Sequence, residues 1–217
     1  MRLVIPPGVF HPPSDAFVLA EVLREHAPGA DVLDLCTGSG VLAVSAGMAG
    51  ARSVTAVDVS RRAVLTARLN GALNGVRIRT RRGDLLDAVP GERFGVIVAN
   101  PPYLPAVCEE PRGLERATEA GPDGRRFVDR LIERAPDHLR PGGVLVVVHS
   151  SVNGVEPSLE GLERTGLEPD LAARHRGPLG PVLTSRAAVL EERGLIEPGQ
   201  REEDVVVVRG RVPVATV

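Results

Sequence analysis

Apolar and polar residues alternate along this chain in two rhythms that trade places repeatedly. After Ser14-Asp15, the residues Ala16, Leu19, Ala20 and Leu23 recur at helical spacing, and Pro28-Gly29 stops them, so a helix is predicted there. Val32-Leu33-Asp34-Leu35 then reads as a strand and Val41–Met48 as a helix. A second strand, Val54-Thr55-Ala56-Val57, precedes a helix that Ser60 caps and Asn74-Gly75 terminates. Val76-Arg77-Ile78-Arg79 alternates, which predicts a half-exposed third strand near a sheet edge. Phe94–Ala99 and Val144–Val148 are the fourth and fifth strands. Between them a helix from about Gly124 carries Val128, Leu131, Ile132 and Ala135 on one face. Strands one, two, four and five are continuous apolar runs, as expected where helices cover both faces of a sheet. Strands and helices alternating at this spacing predict a doubly wound, mostly parallel α/β sheet. Beyond residue 150 the pattern weakens to a helix near Pro157–Thr165, an unassigned stretch to Gln200 and a strand at Asp204–Val208.

A chain of 217 residues predicts a single domain over 1–217. It divides into a lead and helix (1–30), a core (31–150) and a segment that completes the sheet (151–217). A net charge of −2 gives no global positive field for nucleic acid or anionic lipid. No apolar run approaches the roughly 20 residues of a membrane span. The opening Met1-Arg2-Leu3-Val4-Ile5-Pro6-Pro7 meets proline too soon for a signal peptide, and a cytoplasmic protein is expected. Cys36 and Cys108 stand far apart and the five histidines are scattered, so no metal site is expected. Every basic residue is Arg, and the absence of Lys excludes Schiff-base chemistry, pyridoxal phosphate attachment and a Walker-type phosphate loop.

Open α/β sheets bind ligands beyond the carboxyl ends of their strands. After strand one comes Asp34-Leu35-Cys36-Thr37-Gly38-Ser39-Gly40, whose glycines allow a tight turn and expose amide groups at the next helix. Asp58 ends strand two, where a carboxylate can accept both hydroxyls of a ribose. It can equally cap the helix that starts at Ser60. Gly83-Asp84-Leu85 follows strand three and offers a polar edge and an apolar face suited to adenine. Together the three loops make one adenosine site, although Gly38–Ala43 also fits the dinucleotide fingerprint of an oxidoreductase. Strand four decides between them. It ends in Asn100-Pro101-Pro102-Tyr103, where two prolines remove donors and leave carbonyl acceptors. The Asn100 side-chain oxygen and the Pro101 carbonyl provide two acceptors for the two hydrogens of a planar NH₂ group, with Tyr103 against its plane. Hydride transfer needs no such arrangement.

On these motifs the chain resembles class I S-adenosylmethionine-dependent methyltransferases, specifically the HemK-type N5-glutamine methyltransferases in the short form without an N-terminal helical domain. The resemblance runs from Val9-Phe10-His11-Pro12-Pro13-Ser14-Asp15 through the strand-end motifs. It continues to Gly121-Pro122-Asp123-Gly124-Arg125 and Leu139-Arg140-Pro141-Gly142-Gly143. It implies a seven-stranded Rossmann-like sheet and S-adenosyl-L-methionine as cofactor, released as S-adenosyl-L-homocysteine. Carried over by position, Asp34, Cys36, Thr37, Gly38 and Gly40 form the cofactor loop, Asp58 takes the ribose, and Asp84 and Leu85 take the adenine. Asn100 touches both cofactor and acceptor, and Pro101, Pro102 and Tyr103 complete the catalytic motif. Ala16 stands where the family carries threonine, and Cys36 where it carries glycine. The implied substrate is a protein glutamine, as in a release factor. The resemblance also implies a small zinc-binding activator, which an edge strand at Val76–Thr80 would accept by strand addition. Three other readings stay open: a methyltransferase for the amine of adenine or guanine in nucleic acid, a catalytically silent or partner-dependent scaffold, and a Rossmann oxidoreductase, for whose second, substrate-binding domain 217 residues leave little room. The arginines at 77, 79, 81 and 82 are the only local basic cluster that the nucleic-acid reading finds.

Overall fold

The computed structural model describes residues 1–12, 14–107 and 118–214; Pro13 and Cys108 lie outside them. Seven strands form one sheet: β1 (Asp31–Leu35), β2 (Ser53–Asp58), β3 (Ile78–Arg82), β4 (Phe94–Ala99), β5 (Leu139–Ser150), β6 (Glu168–Pro178) and β7 (Glu202–Arg211). Their order is β3-β2-β1-β4-β5-β7-β6, with β7 antiparallel to both neighbours and the other pairs parallel. The order reverses between β1 and β4, which opens a crevice at the carboxyl ends of those strands.

The alternation of side chains builds two cores. Val32, Val54, Val96 and Val146 face helices α1 (Ser14–His26), α2 (Val41–Met48) and α3 (Arg61–Leu73). Leu33, Val57, Ile97 and Leu145 point the other way, with α4 (Arg126–His138) and Leu162 of α5 (Glu156–Arg164). Both faces of the central strands are therefore dry, which is why their sequences show no polar alternation.

The third strand starts two residues later than its alternation predicts. Helix α3 ends in a Schellman motif: Gly75, at φ 71°, donates to Ala72 O, and Val76 N–H donates to Gly71 O at 2.8 Å. Val76 is thus spent on ending the helix, and its side chain packs over Gly47 rather than joining the ladder. The edge position is as expected, since β3 pairs only with β2. The unassigned stretch to Gln200 holds β6 and two short helices, α6 (Pro181–Ser185) and α7 (Ala187–Glu192). Strand β6 bulges between Leu171 and Ala173 and most of it is only partly buried, so neither strict alternation nor an apolar run marks it. Leu183, Leu190 and Ile196 form a separate small core with Val152, against which Leu104 packs.

Candidate active site

A cavity of about 570 Å³ lies at the carboxyl ends of β1, β2, β3 and β4, within the usual range for small-molecule sites. Each strand-end loop contributes to it: Cys36 and Gly38 after β1, Asp58 at the end of β2, Gly83 to Leu85 after β3, and Asn100 to Leu104 after β4. Gly8 and Phe10 of the lead segment, Asp15 of α1, Phe127 of α4 and Val182 of α6 add to the wall.

The β1 loop is built from inside. Asp34 is fully buried; its Oδ2 accepts from Thr37 Oγ1 at 2.6 Å and from the Ala43 amide at 3.0 Å. Burial pushes the Asp34 carboxyl up to about 7, and its Oδ1 has no hydrogen-bond partner. Gly40 begins α2 at φ 82°, and a Cβ there would fall 2.7 Å from the Ala67 Cα of α3. Three residues expected on the cofactor, Asp34, Thr37 and Gly40, therefore do not line the cavity. They fold the loop beneath it and bring α2 and α3 together. Gly38 does line it: at φ 52°, a Cβ there would meet only the Cys36 and Phe10 carbonyl oxygens, each at 4.0 Å, so the bare backbone faces open space. Cys36 also adopts a left-handed φ of 57°, a strained conformation for a residue with a Cβ. Burial raises its thiol well above the ordinary range, which keeps it protonated and unsuited to attack.

Asp58 ties two turns together at the border of the cavity. Its Oδ1 accepts from the Ser60 amide at 2.9 Å and its Oδ2 from the Gly38 amide at 3.0 Å, tying the first two loops together while the carboxylate borders the cavity. Burial raises its pKa against these stabilising bonds. Asp84 borders the cavity too, but Arg130 of α4 grips its carboxylate, Nη2 to Oδ2 at 2.8 Å and Nη1 to Oδ1 at 3.4 Å. Leu85, at φ 46°, and Phe127 present an apolar wall beside it.

Asn100, Pro101, Pro102 and Tyr103 all line the cavity. Tyr103 is anchored rather than free to stack: its hydroxyl donates to Asp15 Oδ2. Asp15, in the first turn of α1 and 3% exposed, also accepts a hydrogen bond from the Ala16 amide at 2.8 Å, and the neighbouring Asn100 side chain favours its charged form. Burial nevertheless raises the Asp15 pKa. Asp15 carries the largest signal missed among the site residues. Its place in the His11–Asp15 motif marks it, but a first-turn acid reads locally as an exposed helix-dipole residue. Arg130 of α4 has no local signal at all. Ala16 is packed in the core under α1 and does not reach the cavity.

The donor set fits an adenosine-bearing ligand with a cationic tail. A bordering carboxylate suits a diol, the Leu85–Phe127 wall suits a base, and the open face at Gly38, where a Cβ would meet nothing closer than 4.0 Å, admits close approach of the amino-acid end. Among the described residues no group of His, Cys, Asp and Glu forms a metal site, and no helix is long and apolar enough to cross a membrane.

Comparison with known proteins agrees with this geometry. The family model described as methyltransferase small domain matches residues 2–165. A Methanocaldococcus jannaschii protein, provisionally assigned as a protein N5-glutamine methyltransferase, is 32% identical over 189 residues, covering 86% of this chain and 95% of the relative. The release factor glutamine methyltransferase of Geobacter sulfurreducens is 35% identical over 175 residues, covering 76% of this chain but 61% of the relative, so this chain spans about three-fifths of that longer protein. The solved E. cuniculi Mtq2–Trm112 complex, which methylates the eRF1 translation termination factor, shares the fold: TM-score 0.67, 24% identity, 94% of this chain and 99% of that one. By the extent of the family match and of the first relative, the chain belongs to the methyltransferase small domain family, as a HemK-type class I methyltransferase.

Proposed function

We propose that the chain, acting as one catalytic unit, is an S-adenosylmethionine-dependent methyltransferase for a protein side-chain amide, the N5 of a glutamine in a release-factor-like translation protein. The observation that carries this reading is the Asn100–Tyr103 motif opening onto the cavity that Asp58 borders. The activities named for its relatives support the choice of glutamine. When bound, the cofactor supplies an electrophilic methyl on its sulfonium. Asp58 holds the ribose hydroxyls, Leu85 and Phe127 the base, and Gly38 and Cys36 the amino-acid end through their backbone. The Asn100 Oδ1 and the Pro101 carbonyl, both at the cavity, hold the two hydrogens of the acceptor amide. Drawing on both hydrogens would turn the nitrogen lone pair out of conjugation and toward the methyl, and the nitrogen would release one of those protons to water as it gains the methyl. Rate enhancement then comes from aiming the two partners and excluding water rather than from strong acid–base chemistry.

A small partner protein docks by strand addition on β3, whose outer edge is unpaired within the sheet. That the fold occurs in a two-protein complex supports this. The arginines that a nucleic-acid reading would use are largely engaged: Arg79 and Arg81 pair with Glu92, and Arg82 donates to Val59 O at 3.1 Å. The test is to incubate the purified protein and labelled S-adenosylmethionine with a cell extract, then treat with nuclease or protease. Label that survives nuclease and appears as N5-methylglutamine is expected; label lost to nuclease would assign a nucleobase instead.

A further inference from the structure

The Gly121–Arg125 motif plays no part in the cavity wall, yet it meets the methyl-acceptor motif from behind. Asn153 closes the 3-10 turn Ser151–Asn153 at the end of β5 and is 4% exposed. Its Nδ2 donates to the Tyr103 carbonyl at 2.7 Å and to the Asp123 carbonyl at 2.8 Å. Arg125 holds Asn153 in turn: its Nη1 donates to the Asn153 carbonyl at 2.8 Å and to Ser158 Oγ at 3.1 Å, and Ser158 Oγ meets the buried His149 Nε2 at 3.0 Å. Gly124 sits directly over this contact. At φ 76°, a Cβ there would lie 2.1 Å from Asn153 Nδ2 and 2.2 Å from the Tyr103 carbonyl oxygen, so any side chain would displace the hydrogen bond. Tyr103 is thus fixed at both ends, by Asp15 at its hydroxyl and by Asn153 at its carbonyl.

We infer that Asn153, with Gly124 leaving room for it, is a positioning residue for methyl transfer, setting the Asn100–Tyr103 backbone at the height from which its acceptors address the substrate amide. This rests on the proposed role of that motif and adds the device that aims it. The brace stands behind the motif and contributes nothing to the cavity wall, so its loss should disturb aim while leaving ligand entry intact.

The test uses the whole chain and single-turnover methyl transfer to the protein substrate identified by labelling, with S-adenosylhomocysteine as the binding probe. Asn153→Ala and Gly124→Ala should each lower the transfer rate by about 30- to 100-fold, the scale of loss from misplaced reacting groups. The acceptor KM and S-adenosylhomocysteine affinity should stay within about threefold of wild type in both. Gly121→Ala is the control. Gly121 also has a left-handed φ of 86°, but its Cβ would meet nothing closer than 3.7 Å, so it carries the same backbone strain without the collision. It should keep most of the rate. Equal losses in Gly124→Ala and Gly121→Ala, rates near wild type in the first two variants, or losses of rate, affinity and melting temperature in proportion would each overturn the assignment. If the wild-type chain transfers no methyl to protein even in cell extract, which supplies a partner, the functional reading fails rather than the brace, and the two failures are distinguishable.

Discussion

A single carboxylate shows how close structural and chemical roles lie in this site. Asp58 accepts two backbone amides and borders the cavity, so removing it would loosen a turn along with the proposed ribose contact. Asp58→Ala should weaken S-adenosylhomocysteine by about 1.5–3 kcal/mol, ten- to hundredfold, measured by calorimetry on folded protein. Undiminished affinity would place the ribose elsewhere. Asn100→Ala removes one acceptor of the pair and should cut the transfer rate by about a hundredfold with a smaller effect on cofactor affinity. Asn100→Asp keeps an acceptor but sets a second carboxylate beside the buried Asp15, so it should not restore the rate; near wild-type turnover in Asn100→Ala would show that the motif is only a turn. His149 gives a pH signature. Burial lowers it from 6.5 to about 4, so the native protein holds the ring neutral while the unfolded chain takes a proton. The stability this contributes is complete above pH 6.5 and is lost as pH falls toward 4. Relative to His149→Gln, wild type should lose about 3 kcal/mol across that pH interval, followed by denaturant titrations. Parallel curves would show that the ring is not buried neutral.

At the scale of elements, the two short helices between β6 and β7 act as a support for the loop after β4. Arg186, between α6 and α7, pairs with the buried Glu119 and donates to the Pro105 carbonyl at 2.9 Å. Arg193 donates to the Ala106 carbonyl at 2.7 Å. Arg186→Met alone leaves Glu119 buried without its partner and should cost about 3–5 kcal/mol in unfolding experiments. Adding Glu119→Gln should recover a good part of that, because it removes the uncompensated charge. If the double variant is no more stable than Arg186→Met, the pair is not what holds the segment. Nothing local in 166–200 announces this arrangement. The segment's worth lies in contacts made more than sixty residues back along the chain, at Pro105 and Glu119.

For the whole molecule, ligand and fold are linked because four strand-end loops meet only when the sheet is formed. S-adenosylhomocysteine at a hundred times its dissociation constant should stabilise the protein by about 2.7 kcal/mol. In a chain of this size that raises the melting temperature by roughly 5–10 °C. At the same ligand concentration Asp58→Ala should show about half that shift or less. A full shift in the variant would mean that the ligand binds away from the strand ends.

Much of this was legible in the residue order. Continuous apolar runs and their spacing determine a parallel sheet covered on both faces, because each central strand must bury both sides. Glycines, acids and prolines at strand ends determine where the ligand crevice opens and what chemistry it favours, since these residue types act through backbone geometry and charge wherever the strand places them. The sequence could not separate residues that line the cavity from those that build its floor. Asp34, Thr37 and Gly40 share one loop with Cys36 and Gly38, and only the packing of α2 against α3 turns the first three away. Nor could it announce Arg130 on Asp84, Asp15 on Tyr103, or Asn153 behind the motif, with separations of 46, 88 and 50 residues. Local pattern records what a residue needs from its neighbours in the chain, whereas these contacts exist only because the sheet brings distant strand ends to one edge.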